Sequence, residues 1–293
     1  MNPNKEKWIL LIVLTLIWGS SFILIKKSLE HFNPYQVGAL RVLIAGILLS
    51  PIAIYNYKLF PKKHIKWLIV AALAGNFFPM FLFPIAETKI SSSIAGIINS
   101  MMPIFVIIVG ALLWKTEVTR NQIIGVLISF TGVCILAFGG GENGNFEVVP
   151  ITLLLLATLL YAISTTTVKA KLLHINSTIL SAFVFVFVLS IPSLVALIGT
   201  GFFQDYHLDS NLFTGLFFVS LLSIFGTGLA MMLNYRLLKT SSPLFASTVT
   251  LLMQIVAIIW GILDGESLTA FQLVGAAVII GGLLFLREKK EKN

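Results

Sequence analysis

Three cations, Lys26, Arg41 and Lys169, fall within or at the ends of long apolar runs, and aromatics and hydroxyls accompany them at helical spacing. Residues at i, i+3, i+4, i+7 and i+11 share one side of a helix. On that spacing Thr15, Trp18, Gly19, Phe22 and Lys26 form one stripe, and Thr158, Tyr161, Ala162, Thr165 and Lys169 form a second in the same order. Each stripe carries an aromatic at depth and an ammonium toward one end. These groups bind; alone they do no covalent chemistry. An aromatic wall with a cation near each mouth suits a path for a small solute. As packing, the same residues are core aromatics beneath lysines that snorkel to water.

Other candidates extend the pattern. Asn76, Phe77 and Phe81 occur in a third apolar run, Asn99 in a fourth, Thr227 and Asn234 in an eighth, and Thr250 and Gln254 in a ninth. A primary amide left unpaired in hydrocarbon is costly, so Asn99 and Gln254 must face protein or a wet cavity. The choice is between interhelical hydrogen bonding, worth about 1 kcal/mol, and contact with a solute. Arg41 lies roughly 10 Å inside its run at 1.5 Å per residue. It either holds a carboxylate through a bidentate pair or pins structure by reaching Glu87 or the headgroups. No expected span contains a His, Asp or Glu, and His31, His64, His174 and His207 all fall in connections. A metal site, a nucleophile with its base and a carboxylate proton relay are therefore unsupported, and no enzyme activity, cofactor or metal is expected.

The elements that must position these residues are membrane helices. Hydrophobic residues make up 57% of the 293 and charged residues only 11%, with a mean hydropathy of +0.98. A hydrocarbon layer of roughly 30 Å needs about 20 helical residues, and runs of that kind recur ten times. The expected spans are 8–25, 35–55, 67–86, 92–113 and 121–138, then 148–168, 177–199, 212–234, 243–263 and 269–286. They are continuous rather than alternating, which selects helices over barrel strands. The first run is too long for a signal-peptide core and no small-x-small site follows it. The lone Cys134 excludes an internal disulfide.

The ten runs are one unit of five written twice. An offset of 150 positions pairs Lys89 with Lys239, Ser91 with Ser241, Thr119 with Thr269, Gln122 with Gln272, Gly125 with Gly275 and Gly132 with Gly282, while Glu117 and Glu266 fall one position out of step. An offset of 143 pairs Thr15 with Thr158, Ser21 with Ser164 and Lys26 with Lys169. Because five is odd, the second copy must lie inverted. The expectation is an all-α membrane protein of ten helices in two inverted repeats, 1–140 and 141–293, forming one compact domain. Inverted repeats place a binding site near the midplane, where the halves meet and rock. Gly125, Gly132 and Gly139, with Gly275 and Gly282, make a small-residue seam suited to close helix packing.

Basic residues fix the expected orientation, since Lys and Arg in short loops stay cytoplasmic. With both termini inside, all but four of the 20 basic residues lie on one face, Lys26, Lys27 and Lys89 on the other, and Arg41 within a span. Topology thus accounts for the net charge of +8, and no nucleic-acid partner is needed. The chain is expected in the plasma or inner membrane, with a lipid bilayer and a small solute as its partners. A multipass receptor or scaffold is the alternative, against which the absence of any sizeable extramembrane region weighs.

Trp18-Gly19-Ser20-Ser21-Phe22 with Lys26, Leu40-Arg41-Val42-Leu43, Pro103, and the turns Glu117-x-Thr119-x-x-Gln122-x-x-Gly125 and Glu266-x-x-Thr269-x-x-Gln272-x-x-Gly275 resemble the drug/metabolite transporter superfamily, EamA type. The resemblance covers nearly the whole chain. It implies ten helices in inverted repeats, alternating access, and export of amino acids or other small metabolites. The ninth run lacks the proline that such proteins often show there, so whether both halves bend alike is left open by the sequence.

Overall fold

The computed structural model describes residues 3–117, 119–138, 148–205, 210–266 and 269–283. The readings on Gly139, His207 and the basic tail, and on the side chains of Gln122, Cys134 and Gln272, lie outside the described residues. Eight segments are long and apolar enough to cross a bilayer: Lys5–Leu29, Pro34–Tyr55, Lys62–Glu87, Ser92–Trp114, Val148–Lys171, Ser177–Gly199, Ser210–Thr240 and Pro243–Leu263. The helices Arg120–Phe138 and Ala270–Leu283 complete the two sets of five. The fold is all-α, with the halves inverted. Several helices outrun their apolar cores. The first begins at Pro3 and the eighth continues to Thr240, because backbone hydrogen bonding carries on where the side chains become polar.

The helices are interrupted at matching places in the two halves. Wide π turns occupy Leu73–Phe77 in the third span and Ile224–Leu229 in the eighth, with another at Val184–Leu189 in the seventh. In the third span Pro79 follows, and its ring cannot tolerate a normal carbonyl position at Gly75, four residues earlier. Pro192 stands in the same relation to Val188, and Ser190 Oγ donates to the Phe185 carbonyl at 2.8 Å. The eighth span has no such proline. There Gly226 and Gly228 loosen the backbone, and Thr227 Oγ1 donates to Leu222 O at 3.3 Å.

The fourth span divides into Ser92–Asn99 and Met102–Trp114, with Pro103 in the first turn of the second piece. The ninth divides as well, into Pro243–Ser247 and Val249–Leu263. Both halves therefore bend, although only one carries the proline. At Thr248 the hydroxyl competes for the ladder, donating to Phe245 O at 2.7 Å. Spans five and ten pack on one another through the expected small-residue seam. Ser129 Oγ donates to Ile279 O at 3.0 Å. A Cβ on Gly132 would meet Ile279 N at 2.7 Å, and one on Gly282 would meet Gly125 O at 2.6 Å.

Candidate functional site

A cavity of about 80 Å³ lies where the two halves meet, with eleven lining residues from each. At roughly 10–15 Å³ per water it holds about half a dozen waters or one small solute. Its wall includes Trp18, Ser21 and Phe22 from the first span, Arg41 from the second, Gly75 and Asn76 from the third, and Asn99 from the fourth. The inverted half supplies Tyr161, Ser164 and Thr165 from the sixth span, Gly226, Asn234 and Tyr235 from the eighth, and Thr250 from the ninth. Among the described residues, spans five and ten contribute nothing to it.

Two glycines on the mirrored π turns let the walls approach. A Cβ on Gly75 would meet Ser164 Oγ at 2.1 Å, and one on Gly226 would meet Ser21 Oγ at 2.5 Å. Ser21 and Ser164 are themselves a repeat pair. The third span thus closes on the sixth as the eighth closes on the first. Side-chain hydrogen bonds break the symmetry. In the eighth span Gly226 O accepts from Trp18 Nε1 at 3.0 Å and from Arg41 Nη2 at 3.5 Å, and Thr227 Oγ1 accepts from Arg41 Nε at 2.7 Å. In the third span neither end of the Asn76 amide is hydrogen bonded, and Asn76 is fully buried. Its neighbour is the Tyr235 hydroxyl, which interacts with the Asn76 side chain but closes no hydrogen bond within 3.5 Å to it or to any other described residue.

Of the sequence candidates, Trp18, Phe22, Arg41, Asn76, Asn99, Tyr161, Thr165 and Thr250 line the cavity. Asn99 Oδ1 accepts from Thr158 Oγ1 at 3.1 Å, and Phe83 sits 6.0 Å, centroid to centroid, from Tyr161. Phe77 and Phe81 instead stack on each other at 5.0 Å, Thr227 stands behind Arg41, and Gln254 is buried off the wall. Tyr235, Met231 and Leu238 escaped the sequence reading. Met231, Asn234, Tyr235 and Leu238 do form a helical stripe, but it crosses the expected end of the eighth span.

Both end lysines are held. Lys26 Nζ lies 2.7 Å from Asp264 and 3.0 Å from Glu266; Lys27 Nζ lies 2.9 Å from Asp264 and from Glu30. Glu266 also accepts from Ser92 N and Ser93 N at 3.2 Å and from Ser93 Oγ at 2.7 Å, at the start of the broken fourth span. Hydrogen bonds from Lys26 and Lys27 hold the Asp264 carboxyl below the usual aspartate range. Burial alone would raise Glu266, but the bonds from Ser93 and Lys26 outweigh it and keep that carboxyl low. Among the described residues no carboxylate pairs with Lys169. Its Nζ donates to Leu238 O at 2.9 Å and Ser241 O at 2.7 Å, capping the end of the eighth span.

Arg41 does not pair with Glu87. Glu87, expected in an external connection, belongs instead to the last turn of the third span, where it is buried and accepts from Ser92 Oγ at 3.2 Å. Helical hydrogen bonding carries the span one residue past its apolar run. Glu6 is likewise helical, buried and ion-paired with Arg236. The premise that no span carries a carboxylate therefore fails, and with it the argument against a carboxylate relay.

The chain was compared with known proteins. It matches the EamA-like transporter family twice, over residues 6–138 and 149–287. It is 28% identical over 286 residues to an uncharacterized transporter of Archaeoglobus fulgidus, covering 97% of this chain and 100% of that one. It is 26% identical over 283 residues to the uncharacterized inner membrane transporter YedA of Escherichia coli K12, covering 92% and 87%. It is 23% identical over 287 residues to a probable amino-acid metabolite efflux pump of Salmonella typhimurium LT2, covering 96% and 94%.

Proposed function

Because the chain belongs to the EamA-like transporter family, we propose that it carries a small amphiphilic metabolite, an amino acid or a related compound, outward across the membrane by alternating access. The observation that carries this reading is the cavity at the repeat interface, walled equally by the two halves. Inverted halves that meet around a central site can rock to expose it to either side. Mirrored π turns fit that role, since they free backbone groups and recur at functional sites.

Trp18, Phe22 and Tyr161 form an apolar wall for the solute, and Asn76, Asn99, Thr165 and Thr250 offer it hydrogen bonds. Thr227 and Gln254 support that wall from behind, with Phe77 and Phe81 packed beside it. Lys26 and Lys169 mark the two mouths. Export and an amino-acid-like solute are supported by the efflux pump named above. An inner-membrane location is supported by the named relative of Escherichia coli, and charge placement supports cytoplasmic termini.

Reconstituted protein tests the reading. Proteoliposomes loaded with one amino acid should show saturable counterflow of another, and failure across amino acids and their derivatives would sink the substrate class. In a Cys134→Ala background, Lys62→Cys should label from the cytoplasmic side and Ser210→Cys from the outside. The reverse pattern would invert the topology.

A further inference from the structure

Arg41 is the only charged side chain on the cavity wall among the described residues. It is buried, and of its five N–H donors one makes a short bond, to Thr227 Oγ1, and one a long bond, to Gly226 O. Among the described residues no carboxylate lies within ion-pair distance of it. Glu87 acts on it only through space. A buried guanidinium without a counterion is costly for the protein alone. In the same cavity the Asn76 amide and the Tyr235 hydroxyl, one from each half, lie beside each other without closing a hydrogen bond within 3.5 Å. Buried polar groups are otherwise nearly always satisfied.

These two deficits fit one kind of solute. Resting on the transport reading above, we propose that the cavity selects solutes bearing a single carboxylate, which docks on Arg41, together with a hydroxyl, amide or amino group directed at Asn76 and Tyr235. The guanidinium fork matches carboxylate geometry. Among the described residues no acidic side chain lines the wall, so solutes that are only cationic meet repulsion without compensation.

The test is thermal unfolding of the purified full-length protein with matched pairs. Neutral α-amino acids, N-acetyl amino acids and 2-hydroxy acids are each set beside the corresponding primary amide. Some acids should raise Tm with concentration, and their amides should need at least about tenfold more. Arg41→Lys keeps the charge but loses the fork and the bonds to Thr227 and Gly226, so ligand-free Tm should fall, and acid binding measured on the folded protein should weaken by about tenfold. Tyr235→Phe should weaken the acids that carry a second polar group. Acids and amides acting alike, no acid acting at all, or unchanged acid affinity in Arg41→Lys overturns the assignment. Saturable counterflow of a cationic or uncharged solute would sink it while leaving the transport reading intact.

The two mouths, independently of the cavity, are built unequally. The repeat carries Lys26 onto Lys169, and the offset that carries Glu266 onto Glu117 carries Asp264 onto Lys115. Ser91 caps the fourth span and Ser242 caps the ninth. After Ser91, Ser92 and Ser93 give Glu266 two N–H groups and a hydroxyl. After Ser242 come Pro243, which has no N–H, and Leu244, which has no hydroxyl. Glu117 is exposed, and among the described residues it makes no ion pair.

We infer that Lys169 and Glu117 form the mirror latch, which closes when the Lys26–Glu266 latch opens, and that it is the weaker of the two. When inverted halves exchange conformations, a contact at one mouth has an equivalent position at the other. Its missing carboxylate, missing donors and the like charge of Lys115 bias the resting protein toward the state seen here. Bifunctional cross-linking of paired cysteines in a Cys134→Ala background tests this. Lys26→Cys with Glu266→Cys should link in resting protein, while Lys169→Cys with Glu117→Cys should link only during exchange. Adding Lys115→Asp to the first pair, which keeps Lys169 and Glu117, should strengthen the mirror latch and lower the resting yield of the first pair. Equal linking of both pairs at rest, or a Lys169/Glu117 pair that never links in protein that exchanges solute, overturns the inference.

Discussion

The π turns at Leu73–Phe77 and Ile224–Leu229 are the same backbone device in two states of satisfaction. In the eighth span the turn is tied down, its Gly226 carbonyl held by Trp18 and Arg41 and its Thr227 hydroxyl by Arg41. In the third span the turn presents Asn76, whose amide closes no hydrogen bond within 3.5 Å and has only the Tyr235 hydroxyl beside it. Pro79 opens the third helix and Gly226 with Gly228 the eighth, at matching places. The side chains that differ decided which opening is tied to its neighbours and which is not.

Substitution at the two turns should separate these roles most strongly. Thr227→Val leaves the buried Arg41 Nε without its partner and should destabilise the protein by about 1–3 kcal/mol. Asn76→Leu removes only a long-range interaction with the Tyr235 hydroxyl. It should leave Tm nearly unchanged and yet cut exchange per folded molecule by about tenfold or more. Melting curves with counterflow rates check both, and a Tm loss in Asn76→Leu as large as that in Thr227→Val would erase the distinction.

The glycines offer a finer comparison. A Cβ at Gly75 meets both Oγ and Cβ of Ser164, at 2.1 and 2.8 Å, whereas at Gly226 the close atom is only Ser21 Oγ, which can rotate away. Gly75→Ala should therefore cost about 1–3 kcal/mol of overpacking and Gly226→Ala less than about 1 kcal/mol by the same measure. The reverse order in thermal unfolding would mean that Ser21 is locked. Trp18→Phe removes a single N–H from Gly226 O and should cost about 1 kcal/mol, a smaller loss than Gly75→Ala.

Acid titration gives the smallest effect and bears on the latch that holds the resting state. Asp264 and Glu266 are held below their usual values, so their contribution is present above about 3.9 and 4.3, the ordinary aspartate and glutamate values. It is lost as pH falls through the lowered native values. The Tm difference between the native protein and Glu266→Gln should stay constant from about pH 8 to pH 5 and shrink below about pH 4. A difference that vanishes near neutrality would show that Glu266 is not held as an ion.

Much of the site was legible in the sequence, and its departures share one cause. Trp18, Phe22, Arg41, Asn99, Tyr161 and Thr165 precede any interruption of their helices, and all face the cavity. Phe77, Phe81, Thr227 and Gln254 lie within or beyond a π turn or break, and all are off the wall. A π turn adds a residue to one turn, so the 3.6-residue stripe read before it points elsewhere after it. Asn76, Asn234 and Thr250, inside or past such irregularities, still reach the cavity.

By itself the sequence determined that this is a membrane protein of ten helical spans in two inverted halves, because hydropathy, helical period and internal repetition are properties of the chain read in order. It also determined the seam of spans five and ten, since spaced glycines permit close approach wherever two such helices meet. Only the tertiary structure decided which repeated groups are satisfied. Trp18 meets Gly226 across 208 positions and Lys26 meets Glu266 across 240. A hydrogen bond forms or fails within a few tenths of an ångström, a margin set by how distant helices pack and not by what either segment encodes alone.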